Sequence, residues 1–108
     1  MTTQTVLIIE DEPSLQEILT YNLESRGYQV LVFDDGTAGL AGVRKHVPDI
    51  VLLDIMLPGM DGFEVCRHIR SDPHIKHLPV LMMTARGEEI DQLVGFQMGA
   101  DDYVTKPF

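Results

Sequence analysis

A single cysteine, Cys66, is all the thiol this chain carries, so no internal disulfide can form, and a reducing, cytosolic setting is expected. Tryptophan is absent and aromatics make up only 6% of the residues, so aliphatic side chains must build the core. No apolar run approaches the ~20 residues a membrane span needs. The first residues, Met1-Thr2-Thr3-Gln4, lack the basic and apolar segments of a signal peptide. Positive charge is scarce. Eight Lys and Arg stand against 17 Asp and Glu, a net charge of −9. Such a domain repels nucleic acid and anionic membrane and attracts cations or a basic partner.

What is present is a steady alternation of short apolar runs with amphipathic ones, without a linker, repeat or low-complexity tract. The 108 residues fit one domain, which buries roughly two-thirds of its unfolded surface. Strands are expected at Thr5 to Glu10, Tyr28 to Phe33 and Asp49 to Asp54. Two more are expected at the run opened by Pro79 and at Asp102 to Lys106. The first helix follows Pro13, with Leu15, Ile18, Leu19 and Leu23 at helical spacing and Gly27 as its stop. A weaker helix, carrying Gly39 and Gly42, covers Thr37 to Lys45. Asp61 caps a third helix whose stripe is Val65, Cys66 and Ile69, and Glu64 completes a capping-box spacing. Ser71 to Leu78 reads as a polar loop. A fourth helix spans Glu88 to Met98, with Ile90, Leu93 and Val94 facing inward, and Gly99 ends it. Strands separated by helices of about ten residues mean βαβ units, a parallel sheet and a small doubly wound α/β fold.

The chemistry-bearing residues gather where strands stop. Val6-Leu7-Ile8-Ile9 runs into Glu10-Asp11-Glu12, and Ile50-Val51-Leu52-Leu53 into Asp54. Val80-Leu81-Met82-Met83 runs into Thr84, and Tyr103-Val104-Thr105 into Lys106. In an open parallel sheet the carboxyl ends of the strands form the ligand crevice. That rule sets Asp11, Asp54, Thr84 and Lys106 side by side.

Asp54, held by a fully apolar strand, is the candidate nucleophile, since a carboxylate can form an aspartyl phosphate. Both reactants are anionic, so Glu10 and Asp11 are the candidate ligands of a divalent cation. Mg²⁺ takes one or two carboxylates plus phosphate oxygens and neutralises the transferring group. Met56 carries the nearest backbone carbonyl to such a metal. Lys106 supplies a mobile point charge for a phosphate oxygen, and Thr84 a hydroxyl donor. Gly59 and Gly62 let the loop after Asp54 approach the site. His74 and His77 have a near-ligand spacing but no third partner and read as solvated. Cys66 reads as a small core residue.

The motifs IIEDEP (Ile8 to Pro13), DIVLLDIMLPGMDG (Asp49 to Gly62), VLMMTA (Val80 to Ala85) and GADDYVTKPF (Gly99 to Phe108) resemble the receiver domain of two-component response regulators. The resemblance covers the whole chain. It implies a flavodoxin-like five-stranded parallel sheet in the order 2-1-3-4-5. It implies that Asp54 accepts a phosphoryl group from a phosphohistidine on a sensor histidine kinase. Mg²⁺ (or Mn²⁺) would be held by Asp11, Asp54 and the Met56 carbonyl, with Glu10 nearby or acting through water. Thr84 would hydrogen-bond the phosphoryl group, Lys106 would pair with it, and Tyr103 would be the switch aromatic.

Such a receiver is not a classical enzyme; it catalyses its own phosphotransfer and autodephosphorylation and switches an output domain. The closing motif looks most like receivers attached to winged-helix DNA-binding domains. Family members continue into a fifth helix, and this chain stops at Phe108, so a truncated domain that dimerises, swaps elements or is weakly stable is expected. The other readings are a phosphohydrolase of the haloacid-dehalogenase type, a flavin-binding module, and a receiver-like interaction module that is never phosphorylated. The first needs D-x-D-x-[TV] after the first strand, where this chain has Glu10-Asp11-Glu12-Pro13-Ser14. The second needs a phosphate-binding loop where three acids stand.

Overall fold

Five short strands carry the architecture. In the computed structural model, which describes residues 3–84 and 99–105 (for Thr84 and Thr105 the backbone alone), β1 spans Thr5–Ile9 and β2 Gln29–Phe33. The remaining strands are β3 (Ile50–Asp54), β4 (Val80–Thr84) and β5 (Asp102–Thr105). They form one parallel sheet in the order β2-β1-β3-β4-β5, the expected doubly wound topology. Helices α1 (Pro13–Glu24), α2 (Gly36–His46) and α3 (Gly62–Ser71) lie between strands. The expected fourth helix and Lys106 fall outside the described residues.

The central strands β1 and β3 are buried along almost their whole length because both of their faces are covered. Alternate side chains point to opposite sides. Leu7, Ile9, Val51, Leu53 and Met82 therefore join Leu40 and Val43 of α2 and Val65, Cys66 and Ile69 of α3. Val6, Ile8, Leu52 and Met83 face the other way, onto Leu19 and Leu23 of α1. The glycines that made α2 look weak are its contact surface. A Cβ on Gly39 would stand 2.5 Å from Ile9 Cδ1, and one on Gly42 2.4 Å from Phe33 Cζ. Removing both lets the helix axis sit closer to the sheet.

Two expectations need correction. Ile18, counted with Leu15, Leu19 and Leu23 at helical spacing, is 54% exposed and does not share their face. Leu15, Leu19 and Leu23 follow one another every four residues, whereas Ile18 precedes Leu19 and so is turned about 100° from it. The segment Ser71 to Leu78 is not simply a polar loop. Ile75 and Leu78 are buried in the α2–α3 core while His74 and His77 stay exposed, as expected. Turn hydrogen bonds from Ile75 N to Asp72 O and from Leu78 N to Ile75 O present those two side chains inward.

Candidate functional site

At the carboxyl end of the sheet, β1 gives way to Glu10 and β3 ends at Asp54. Both carboxylates are buried, at 0% and 5% exposure, while Asp11 is exposed at the mouth. One carboxylate oxygen from each of Glu10, Asp11 and Asp54 lies within 4.8 Å of the other two. Like charges at that separation repel by at least about 3 kcal/mol per pair in a medium of effective dielectric about 20. Oxygen-only donors that close to one another suit a hard divalent cation, so the residues present fit Mg²⁺.

Local hydrogen bonds hold Glu10 and Asp54 in place. Glu10 N–H donates to Phe33 O at 3.0 Å, tying the end of β1 to the end of β2. The Glu12 amide donates to Glu10 Oε2 at 3.0 Å, and the Gln16 side-chain amide donates to Glu10 O. Met56 N–H donates to Asp54 Oδ1 at 3.3 Å, so the loop folds back over the carboxylate. Met56 exposes its side chain to 75%. Its part in the site is therefore a matter of backbone.

Helix α3 begins against this loop. Asp61 caps it by accepting the Glu64 amide at 3.0 Å. The Glu64 carboxylate instead takes Arg67 at 2.9 Å, which lowers its pKa. A Cβ on Gly62 would stand 2.3 Å from Asp54 O and 2.7 Å from Ile55 Cα. The helix N-terminus therefore rests directly on the backbone of the Asp54 turn, and any side chain at Gly62 would push the two apart.

On the next strand, Asp54 and Met83 are register partners, so Thr84 stands one residue beyond the level of Asp54. Thr84 pairs in turn with Thr105, and Tyr103 with Met82. Tyr103 is half-buried against the α2–α3 core. The structure thus brings Glu10, Asp11 and Asp54 into one cluster and sets the backbones of Thr84 and Tyr103 on the two strands beyond it. Lys106 lies outside the described residues.

Reading the sequence missed two things. Asp35, just ahead of the Thr37 to Lys45 run, caps α2 by accepting the Ala38 amide at 2.7 Å. It also lines, with Asp34, Asp11, Pro58 and Gly59, a shallow acidic hollow beside the cluster. Its N-cap signal, Asp at the edge of an amphipathic run, was available. Arg70, at the far end of the sheet, gave no signal at all.

Comparison with known proteins agrees with this geometry. The family model of the response regulator receiver domain matches residues 6–108. The DNA-binding response regulator MtrA of Mycolicibacterium smegmatis is 47% identical over 105 residues, covering 97% of this chain and 45% of MtrA. The chain thus spans under half of that relative. The chemotaxis response regulator CheY4 of Vibrio cholerae superposes with a TM-score of 0.93 at 31% identity, covering 99% of this chain and 89% of CheY4. The receiver domain of sensor histidine kinase PA1611 from Pseudomonas aeruginosa, solved with magnesium in its active-site cleft, gives 0.91 at 32% identity, covering 99% and 88%.

The fold and site define a phosphorylation-dependent signalling module rather than a classical enzyme. This chain belongs to the receiver domains of two-component response regulators. Among the described residues, no helix is long and apolar enough to cross a membrane.

Proposed function

We propose that Asp54 is the phosphoacceptor of this receiver. The observation that carries the reading is a buried carboxylate at the end of β3 with two further carboxylates within 4.8 Å. In the transfer, an Asp54 oxygen attacks the phosphorus of a phosphohistidine on a sensor histidine kinase. The P–N bond breaks, the imidazole leaves with the electron pair, and it is protonated from solvent. Asp11, Asp54 and the Met56 carbonyl would hold Mg²⁺ or Mn²⁺, with Glu10 close by or acting through water. When bound, the cation would supply charge neutralisation for the phosphoryl oxygens as two anions approach.

Thr84 donates its hydroxyl to a phosphoryl oxygen, and Lys106 pairs with another. Tyr103 turns further inward when Thr84 moves toward the phosphate, changing the surface that an output domain reads. Water attack on the same acyl phosphate ends the signal, with the same residues stabilising it. By analogy with the relative named as DNA-binding, the output is a DNA-binding domain. The receiver itself, at −9, contacts neither nucleic acid nor membrane, and works in the cytoplasm. An apolar groove of about 460 Å³, lined by Leu23, Tyr28, Ile50, Leu52 and Leu81 among others, supports self-association. Sedimentation that shows one monomeric species at all concentrations refutes that part.

The central test weighs the intact protein after incubation with Mg²⁺ and a low-molecular-weight phosphodonor. One phosphoryl group should be gained by the native chain and none by Asp54→Asn. No gain, or an undiminished gain in the variant, refutes the assignment. Turnover of a generic phosphomonoester would favour a phosphohydrolase instead.

A further inference from the structure

Arg70, in the last turn of α3, is the best-connected side chain at the amino end of the sheet. Its Nε donates to Gly99 O at 2.7 Å. Its Nη1 donates to Leu78 O at 2.6 Å and to Lys76 O at 3.0 Å. Its Nη2 donates to Asp101 Oδ2 at 2.7 Å. Four of the five guanidinium N–H groups are thereby committed, in the fixed fork that only arginine offers. The side chain is 22% exposed, so it is largely withdrawn from solvent.

The acceptors are not scattered. Leu78 stands just ahead of β4, and Gly99 and Asp101 just ahead of β5. Asp101 is the hinge between them: Val80 N–H donates to its Oδ2 at 2.7 Å, and its own N–H donates to Val80 O at 3.0 Å. Gly99 has φ +99°, and a Cβ there would stand 2.6 Å from Arg70 Cγ. Position 99 is thus glycine both for its backbone and to let the arginine pass.

We infer that Arg70 is the positioning residue that sets the register in which β5 leaves β4, and so places Tyr103 for the switch. The inference rests on the receiver reading above. β5 pairs with β4 over only four residues, Leu81 with Asp102 through Thr84 with Thr105. Of the described β5 side chains, Tyr103 is the one packed against the α2–α3 core, so burial fixes the register through a single residue, and a slip of one residue turns every side chain to the opposite face. Tyr103 would then leave the α2–α3 core for the α1 side of the sheet. The clamp prevents this by tying the entry of both strands to one rigid helix end. Because it acts at the amino ends of the strands, it leaves Glu10, Asp11 and Asp54 untouched.

The test compares native protein with Arg70→Gln, Arg70→Lys and Asp101→Asn. Amide exchange at Tyr103 and Val104, read without any phosphodonor, should quicken at least tenfold in Arg70→Gln. Because Lys106, proposed to pair with the phosphoryl group, directly follows β5 in the chain, the initial rate of phosphoryl gain should fall at least tenfold, and the tyrosine ring signal that responds to phosphorylation in the native protein should stay still. Mg²⁺ affinity by calorimetry should remain within twofold. Arg70→Lys should not restore the rate, since an ammonium cannot span the four acceptors. The milder Asp101→Asn should move the same readouts in the same direction, and it carries the test should Arg70→Gln fail to fold.

Three outcomes overturn the inference: native exchange and native phosphorylation in a folded Arg70 variant; loss of Mg²⁺ affinity in proportion to the rate, which marks general loosening; or an unaffected Asp101→Asn. Phosphorylation that persists in Asp54→Asn would instead defeat the acceptor assignment, leaving the exchange result to decide the role of Arg70.

Discussion

Asp54 and Met83 are register partners on adjacent parallel strands, which places Thr84 one step past the carboxylate. Asp54, the proposed acceptor, and Thr84 therefore belong to one sheet edge, and the relation of their backbones is set by strand pairing rather than by loops. Substitutions that alter this edge should change function before they change the fold.

Cation binding should stabilise the protein measurably. At a hundredfold excess over Kd a ligand of the folded state contributes about 2.7 kcal/mol, roughly 10 °C or more in Tm for a domain of this size. Melts with and without Mg²⁺ should show that rise in the native chain. Asp11→Asn, which removes one of three clustered carboxylates, should lose most of it.

Gly62→Ala should affect both stability and phosphorylation. The new methyl meets backbone, Asp54 O and Ile55 Cα, so nothing flexible can give way. A loss of about 2 kcal/mol is expected from such overpacking. Urea unfolding measures it, and the phosphoryl-gain rate of the folded fraction should fall as well.

Val47→Gly should stabilise the chain. Val47 ends α2 with φ +43°, a left-handed conformation that a β-branched side chain resists and glycine adopts freely. It is 47% exposed, so little packing is lost. A gain of about 1 kcal/mol is expected as a higher urea midpoint with unchanged slope.

Acid should release one surface tether. The His74 amide, and after it the Arg44 guanidinium 3.1 Å away, hold the Asp72 carboxyl below its ordinary value of 3.8. A depressed folded pKa contributes stability that is fully present above the ordinary value and is lost as pH falls below it. Asp72→Asn should therefore lower stability at neutral pH, converge with the native chain in acid well below the ordinary value, and so flatten the acid limb of the stability curve. A denaturant series across that range measures the difference.

The thiol of Cys66 should stay inert until the fold opens. Burial raises its pKa, and none of its side chain is exposed. Its labelling rate should follow global unfolding and rise with urea in step with loss of secondary structure.

Much was legible beforehand because strands covered on both faces are written as unbroken apolar runs, and the polar residue that stops each run marks its carboxyl end. That is why Glu10, Asp54 and Thr84 could be placed from spacing. Two helix starts were legible, α1 from Pro13 and α3 from the Asp61 cap, while the Asp35 cap of α2 was not picked out. Ile18 was misjudged because helical spacing names two neighbouring faces and only packing selects one. Ile75 and Leu78 were hidden among polar neighbours, since a turn can turn single residues inward without periodicity.

By itself, then, the sequence determined the kind of fold, the ends of its strands and the residue types gathered there, because propensity and burial patterns are local and repeat along the chain. Only the tertiary structure decided which carboxylates share one 4.8 Å space, which glycines admit a neighbour's backbone, and that Arg70 clasps Gly99 and Asp101. Those relations join residues tens of positions apart, and no local pattern encodes a contact whose two halves meet only when the sheet is assembled.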